Sequence, residues 1–254
     1  MDIENKYGTL EQQQYLIPIL NDIDELCRKN GISYSLSHGS LLGAIRHKGF
    51  VPWDDDIDLV FDRANYEKLI ALLEHDMPED YCIVHDIWVK RIARKEDAEM
   101  GVGEFDGAID LFVFDNTPDG ALLRKLKHLT LKLLQGMIKK KVKYEGFSFG
   151  YKVMLFVTHI FGKLFTLRAK QRMYDKVAQW GNKKPTQNKR IYNCTFKHIG
   201  KIKYDYDVAD NYTEVEFEGR NYMALAKWDH YLCAEYGDYM KLPPEEARRP
   251  KHKN

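Results

Sequence analysis

Three aspartates, Asp56, Asp58 and Asp110, stand in apolar segments where an ionised carboxylate is costly unless a cation binds it. Ile57, Leu59 and Phe61 alternate with Asp56, Asp58 and Val60, which predicts a half-buried strand with Asp56 and Asp58 on one face, about 7 Å apart. Residues 107–115 predict a second strand, with Asp110 opposite its apolar face. Carboxylates suit Mg²⁺, and paired metals can clamp the attacking and leaving oxygens of phosphoryl transfer. The three aspartates therefore predict a metal centre, with Asp110 as a ligand or a general base.

Two other interpretations of the acidic run are less favoured. Acidic runs are usually solvated loops, but this one runs directly into an apolar strand. An EF-hand calcium loop is excluded because it needs Gly at position six and Glu at position twelve. Counted from Asp54, these positions hold Leu59 and Asn65. For Asp110 the alternative is a strand-end carboxylate that bonds a neighbouring backbone group.

A Gly-Ser segment precedes the acidic strand by about 15 residues. Residues 32–37 predict a strand, residues 38–40 a turn and residues 41–46 a short helix. A glycine before a helix N-terminus lets backbone N–H groups approach a phosphate, and the helix dipole favours the anion. A serine hydroxyl and three cationic side chains add to this site. The predicted donor-phosphate residues are Gly39, Ser40, Arg46, His47 and Lys48.

Residues 38–60 resemble the first block of the LicD family, which includes the fukutin-type proteins and belongs to the nucleotidyltransferase superfamily. The family pattern is a Gly-Ser turn, Asp-x-Asp on a strand and a third carboxylate on a later strand. That order is met by Gly39-Ser40, Asp56, Asp58 and Asp110. The resemblance implies an α+β fold, a mixed β-sheet with flanking helices, as a single catalytic domain over residues 1–254.

Later parts of the chain also resemble the family. The matching segments are residues 109–115, 217–219 and 236–244, the last followed by Arg248 and His252. Two departures stand out: Val113 occupies a position where proline is usual, and residues 224–227 lack an expected proline.

The resemblance implies transfer of a phosphorylated alcohol, most often phosphocholine from CDP-choline, onto a sugar of a cell-surface glycan or its lipid-linked precursor. Glycerol phosphate or ribitol phosphate from a CDP-polyol is the alternative. The sugar hydroxyl would attack phosphorus in line with departing CMP, with Mg²⁺ or alternatively Mn²⁺ held by Asp56, Asp58 and Asp110. Either Asp110 or Asp55 would take the hydroxyl proton. Choline would need an aromatic cage, for which the candidates are Trp53, Trp88, Trp180, Trp228, Tyr236 and Tyr239.

Two rival functions are less favoured. Asp-x-Asp also binds nucleotide sugars in metal-dependent glycosyltransferases, but the Gly39-Ser40 segment and Asp110 fit the nucleotidyltransferase arrangement better. A catalytically inactive binding protein is disfavoured because it has no reason to bear the cost of burying three carboxylates.

The composition predicts an intracellular enzyme. The resemblance implies a cytoplasmic bacterial one, because the fukutin-type members carry a membrane anchor that is not expected here. The 254 residues include 39 Lys and Arg against 38 Asp and Glu, so bulk charge does not suggest nucleic acid. Four separated cysteines without a Cys-x-x-Cys motif predict reduced thiols. The first six residues lack the pattern of a signal peptide, and no uncharged apolar run reaches the roughly 18 residues of a membrane span.

A helical addition is predicted at about residues 121–180. Its first part carries eight Lys and Arg between leucines, and residues 153–161 are strongly apolar. A basic amphipathic helix is typical of membrane-surface binding. Residues 121–165 therefore predict peripheral contact with the inner face of the cell membrane, or alternatively an ordinary packed helix with a solvated lysine face.

The remaining predictions concern connecting elements. A capping box at residues 9–12 starts a helix that ends at Gly31. A second helix covers residues 63–75, and residues 81–94 form a strand pair. Asp115 is assigned to a turn over residues 115–120, and residues 183–190 to a loop.

Overall fold

The computed structural model describes residues 6–85, 88–98, 107–139 and 148–250. Residues 140–147 of the predicted addition and His252 lie outside these described residues. The chain divides into two compact units. The first unit comprises residues 1–86, 90–114 and 207–254, and the second unit comprises residues 87–89 and 115–206.

A mixed sheet organises the first unit. Its strands are β1 (Ser35–Leu36), β2 (Ile57–Asp62), β3 (Tyr81–His85), β4 (Lys90–Arg94) and β5 (Ala108–Asn116). They lie in the order β1-β2-β5-β4-β3, and β2 and β5 run parallel while the other neighbours are antiparallel. The two central strands are almost entirely buried, as expected for a parallel pair at the middle of a sheet.

Over the described residues of the first unit, five α-helices, a short 3₁₀ helix (Glu245–Ala247) and a hairpin accompany the sheet. The helices are α1 (Leu10–Lys29), α2 (His38–His47), α3 (Arg63–His75), α4 (Lys95–Ala98) and α8 (Trp228–Tyr236). The side chain of Asp62 caps α3 by accepting from Ala64 N and Asn65 N, which ends β2 and starts the helix within one residue. The hairpin pairs β8 (Tyr212–Phe217) with β9 (Arg220–Leu225). Its two-residue turn has φ of +49° at Glu218 and +75° at Gly219, the positive pair that a tight hairpin requires.

The second unit is mainly helical. Its helices are α5 (Ala121–Ile138), α6 (Phe149–Gly162) and α7 (Leu167–Ala178), and β6 (Asn188–Ile191) pairs with β7 (Tyr204–Asp205). Its core includes Leu131, Leu134, Ile138, Tyr174, Val177 and Tyr192. Lys127 is fully buried, but its ammonium donates to the carbonyl oxygens of Asn116 and Trp180 at 2.9 Å, which offsets the cost of burial. None of the described helices has the length and apolarity to cross a bilayer.

The predicted α+β class with a mixed sheet and flanking helices is confirmed. The helix over residues 63–75 and the strand pair within residues 81–94 are also confirmed. The capping box is wrong, because the Thr9 side chain makes no cap and its hydroxyl donates to Pro52 O at 2.8 Å. The loop over residues 183–190 is also wrong in part, since β6 begins at Asn188.

Two further predictions fail where the chain enters or leaves a strand. The strand predicted over residues 32–37 is only Ser35–Leu36, because pairing with β2 covers two residues. Asp115 lies within β5 and not in a turn. It is buried, and Asn182 Nδ2, 67 residues away in sequence, donates to its carboxylate at 2.6 Å, which offsets the cost of burial.

Candidate active site

Asp58 and Asp110 lie side by side on the two central strands of the sheet. Their residues are register partners on the parallel strands β2 and β5. Partners on adjacent strands point to the same face and lie about 5 Å apart. The register thus brings together two of the three carboxylates predicted to hold a metal, Asp58 and Asp110. Asp56 does not share the strand of Asp58, because β2 begins at Ile57 and Asp56 lies in the loop before it.

A second cluster of carboxylates lies just before β2. One carboxylate oxygen from each of Asp54, Asp55 and Asp56 lies within 4.8 Å of the others. Asp54 and Asp55 are buried, with 4% and 1% of their surface exposed. Three carboxylates this close repel one another unless a cation balances them, and oxygen-only donors suit a hard cation such as Mg²⁺. The cluster therefore fits the predicted metal, and it adds Asp54 to the residues proposed from sequence.

The start of α1 holds this acidic loop in place. Gln13 Nε2 donates to Asp54 O at 2.8 Å, and the Thr9 hydroxyl donates to Pro52 O. Asp54 N also donates to Val51 O at 2.8 Å, which closes a tight turn before the three aspartates. Thr9, the predicted cap residue, thus supports the loop instead, together with Gln13.

Asp110 forms an ion pair with Arg91. Arg91 Nε lies 2.5 Å from Asp110 Oδ1, and Arg91 Nη2 donates to Asp110 Oδ2 at 3.3 Å. The two residues are register partners on the antiparallel strands β4 and β5, so their side chains share one face. The two-point contact fixes the orientation of the carboxylate. Sequence reasoning missed Arg91, although its place in a predicted strand beside the Asp110 strand was a usable signal.

His38 links Asp58 to a glutamate from the C-terminal part of the chain. His38 Nδ1 lies 3.9 Å from Asp58 Oδ2, and Nε2 lies 3.7 Å from Glu235 Oε1. The imidazole ring packs on Phe112, with centroids 4.6 Å apart, and His38 N donates to the Tyr231 hydroxyl at 3.4 Å. Its φ of +43° is uncommon for a residue other than glycine, and such conformations cluster at functional sites.

The predicted Gly-Ser turn is wrong: α2 begins at His38, so Gly39 and Ser40 lie in its first turn. Leu41 N donates to Ser37 O at 3.1 Å, which is the first bond of the helix. Ser40 is buried, and its hydroxyl accepts from Asp58 N at 2.9 Å. A Cβ atom at Gly39 would meet Asp54 Oδ2 closer than the 3.0 Å that real Cβ atoms keep. The glycine thus lets a carboxylate approach the helix N-terminus, whose dipole favours it.

The predicted basic residues lie at the other end of α2. Arg46 Nη1 donates to Tyr239 O at 2.7 Å, and Arg46 Nε donates to His47 Nε2 at 3.0 Å. Burial lowers the pKa of His47, and the neighbouring Arg46 cation lowers it further, so His47 is a neutral acceptor. Lys48 ends the helix in a left-handed conformation with φ of +60°.

A cavity of about 430 Å³ opens beside these groups. Its lining includes Gly39 and Asp54 on the acidic side and Arg46 on the basic side. Of the predicted cage aromatics, Trp53, Tyr236 and Tyr239 line the cavity, whereas Trp88 and Trp180 belong to the second unit and Trp228 is not in the lining. The cavity therefore combines carboxylates, a guanidinium and aromatic rings.

Tyr236 connects the aromatic wall to the carboxylates. Burial raises the pKa of its hydroxyl well above the ordinary value, and negative charge adds to the effect. The contributing carboxylates are Asp58, Glu235, Asp54 and Asp56. The Tyr236 phenol therefore stays protonated and can donate a hydrogen bond on the acidic side of the cavity.

The β8–β9 turn braces the loop that leads to the acidic cluster. Glu218 Oε1 accepts from Phe50 N at 3.0 Å, and Glu218 N donates to Lys48 O at 2.9 Å. A Cβ atom at Gly49 would clash with Glu218 Oε1, so the glycine is needed for this approach. The hairpin thus fixes residues 48–50 before the chain turns toward the three aspartates.

Comparison with known proteins places these residues in a described family. Residues 31–118 match the family model described as LicD/FKTN/FKRP, nucleotidyltransferase domain. The lipopolysaccharide cholinephosphotransferase LicD of Haemophilus influenzae is 31% identical over 259 aligned residues, which cover 95% of each protein. Uncharacterised proteins of Rickettsia prowazekii and Rickettsia typhi are each 48% identical over 44 residues, or 17% of this chain.

Proposed function

The chain belongs to the LicD family and is a LicD-like phosphotransferase, and on this basis we propose that it transfers phosphocholine from CDP-choline. The acceptor is a sugar hydroxyl of a cell-surface glycan or of its lipid-linked precursor. The observation that carries the proposal is the cavity that combines Asp54 of the acidic cluster with the rings of Trp53, Tyr236 and Tyr239. A phosphocholine donor presents the matching groups, an anionic diphosphate and a quaternary ammonium.

Mg²⁺, or Mn²⁺ in its place, is the proposed cofactor. From sequence, Asp56, Asp58 and Asp110 are its proposed ligands. Asp54 and Asp55 are added because one carboxylate oxygen of each lies within 4.8 Å of one of Asp56. The metal supplies charge neutralisation for the donor diphosphate and for the departing CMP. Five carboxylates in one region would otherwise repel that diphosphate.

A carboxylate of the chain accepts the proton that the attacking sugar hydroxyl loses. The sugar oxygen forms a bond to the phosphorus that carries choline, the bond from this phosphorus to the CMP oxygen breaks, and CMP leaves as an anion. Asp110 accepts the hydroxyl proton, since Arg91 holds its carboxylate in one orientation. Asp55 is the alternative base. Asp55→Asn and Asp110→Asn are compared by calorimetry and by transfer assay, and the base is the residue whose variant still binds donor with Mg²⁺ but no longer transfers.

Donor phosphates are bound at the basic side of the cavity. Arg46 lines the cavity and offers guanidinium donors beyond the one given to Tyr239 O. Gly39, Ser40, His47 and Lys48 remain predicted phosphate-site residues, now placed at the two ends of α2.

Choline is recognised by the aromatic wall. A quaternary ammonium is attracted to the face of an aromatic ring within about 6 Å of its centroid. The Arg248 guanidinium already lies 5.7 Å from the Trp53 ring centroid, so Tyr236 and Tyr239 are the proposed choline contacts. A glycerol or ribitol phosphate donor is the second candidate, because Arg46, Asp238 and Lys241 in the same lining can bond polyol hydroxyls.

Transfer of label tests the proposal. The full chain is incubated with CDP-choline labelled in its methyl groups, Mg²⁺ and a glycan fraction that contains lipid-linked precursors. We expect labelled phosphocholine in the glycan and one CMP released per transfer. Both products should be absent with the Asp56→Asn variant and when Mg²⁺ is removed by a chelator. Label transfer from CDP-glycerol or CDP-ribitol alone would reassign the donor, and transfer from a UDP-sugar alone would make the protein a glycosyltransferase.

A further inference from the structure

Helix α6 of the second unit exposes large apolar side chains to solvent. Its buried side is narrow and consists of Leu155, Thr158 and Gly162. Its exposed apolar side chains are Phe149, Val153, Phe156, Val157, Ile160 and Phe161, with exposed fractions from 44% to 82%. A helix that is apolar on both sides is expected in a large core or at a membrane, because water penalises the second face.

The exposed side chains form one continuous face with cations along its edge. At 100° per residue, the six apolar positions occupy an arc of about 140°. Lys152 and Lys163 lie just beyond one edge of this arc, and both are exposed. Leu164 continues the face into the turn after α6 and is 76% exposed. We call these six side chains and Leu164 the α6 apolar face.

The sequence around this face is strongly cationic. Residues 121–174 contain thirteen Lys and Arg and one acidic residue, Glu145. The whole chain has 39 Lys and Arg against 38 Asp and Glu, so the rest of the chain is net negative. The positive charge is concentrated in the segment that exposes apolar surface, so an anionic binding partner is favoured at this surface.

Helix α5 shows the same combination. Leu122, Leu123, Leu126 and Leu129 are each at least 47% exposed, and Lys125 between them is also exposed. By contrast, Lys127 and Lys170 bond backbone carbonyls inside the unit and are not available to a partner. The exposed cation of α5 therefore lies among exposed leucines, whereas the lysines that bond backbone carbonyls lie inside the unit.

We propose that the α6 apolar face rests on an anionic phospholipid bilayer, with its aromatic and aliphatic side chains in the interface and Lys152 and Lys163 at the headgroups. A 14-residue helix is about 21 Å long, too short to span the roughly 30 Å hydrocarbon core, so it lies in the plane of the surface. A second copy of the same face is disfavoured because two cationic surfaces would meet. The proposal does not depend on the identity of the donor.

Vesicle co-sedimentation with the full chain tests this inference. We expect binding to vesicles of equal parts phosphatidylglycerol and phosphatidylcholine, little binding to phosphatidylcholine alone, and weakening as salt screens the charge. Phe156→Asp with Ile160→Asp should reduce the bound fraction at least tenfold. Lys152→Glu with Lys163→Glu should reduce it several-fold, while the charge-matched control Lys29→Glu with Lys68→Glu should bind like the wild type.

Each contrary result has a defined meaning. Absence of binding to anionic vesicles at low salt overturns the proposal, as does equal binding by the Phe156→Asp, Ile160→Asp variant. A dimer that this variant dissociates, without vesicle binding, identifies a second copy as the occupant. Melting curves establish that the variants fold, and the readout is binding rather than turnover, so a wrong donor assignment does not affect it.

Discussion

At the scale of single residues, the backbone of Asp58 is fixed from two sides. Its N–H donates to the buried Ser40 hydroxyl, and its carbonyl accepts from Ser37 N at 2.9 Å. Its side chain lies beside Asp110 by register and 3.9 Å from His38. These two backbone bonds do not involve the side chain, so replacing the carboxylate with an amide leaves both bonds in place.

Changing this carboxylate to an amide should therefore remove activity without unfolding the protein. We predict that Asp58→Asn, and likewise Asp56→Asn, lowers transfer by about 10²–10³-fold or more, because one charge of the metal site is lost. The thermal midpoint should stay close to that of the wild type. Asp80→Asn, an exposed aspartate outside the site, is the control. Near-normal turnover in either variant would show that the metal site is misassigned.

Gly39 offers a second test at the residue scale. We predict that Gly39→Ala displaces the Asp54 carboxylate, because the added Cβ occupies its space. Metal-dependent donor binding should weaken at least tenfold by calorimetry. Gly150→Ala is the matched control, since a Cβ there meets nothing and alanine favours a helix by up to about 1 kcal/mol. Unchanged donor binding in Gly39→Ala would show that Asp54 is not a metal ligand.

At the scale of elements, the β8–β9 hairpin positions the loop before the acidic cluster. We predict that Glu218→Ala costs about 1–2 kcal/mol of unfolding free energy, because Phe50 N loses its acceptor. Transfer should also fall, mainly through kcat, as the loop that carries Asp54 relaxes. Glu218→Gln keeps an acceptor oxygen and should recover most of both losses. Glu216→Ala, an exposed position on the same hairpin, should match the wild type. Equal effects at the two positions would contradict a positioning role for Glu218.

Elements with a strong local pattern were predictable, and elements set by distant contacts were not. The apolar runs of β2 and β5 indicated their strands, and the helix predicted over residues 63–75 matches α3. The start of α2 at His38 was not visible, because glycine and serine usually favour turns. Thr9 likewise has the right spacing for a cap but bonds Pro52, 43 residues away.

At the scale of the whole molecule, stability should fall in mild acid through His128. Burial lowers the pKa of this imidazole to about 4, and Arg190, Lys127, Lys132 and Arg124 contribute to the shift. In the unfolded state the imidazole takes up a proton near pH 6.5, whereas in the folded state it does so only near pH 4. The contribution of His128 to stability is therefore fully present above pH 6.5 and is lost progressively as the pH falls to about 4. The loss should be on the order of 1–2 kcal/mol, since solvent screens a half-buried ring.

Denaturant unfolding at several pH values measures this effect. His128→Gln should flatten the dependence between pH 6.5 and pH 4, whereas His75→Gln, an exposed control, should leave it unchanged. An unaltered pH slope in His128→Gln would assign the acid sensitivity to other groups.

The candidate site as a whole was predictable in its residue types but not in its arrangement. Asp56, Asp58 and Asp110 could be named because carboxylates beside or within apolar segments of a sequence are uncommon. Their partners could not, since Arg91 reaches Asp110 by sheet register and Glu235 reaches His38 from 197 residues away. Such contacts depend on topology, which local periodicity does not encode.

Calorimetric titration of the full chain with CDP-choline, with and without Mg²⁺, tests the central claim most directly. The account predicts Mg²⁺-dependent binding of CDP-choline that is tighter than binding of CDP-glycerol or CDP-ribitol and is lost in Asp56→Asn. Absence of binding by any CDP-alcohol in Mg²⁺, or equal binding with and without the metal, would contradict it.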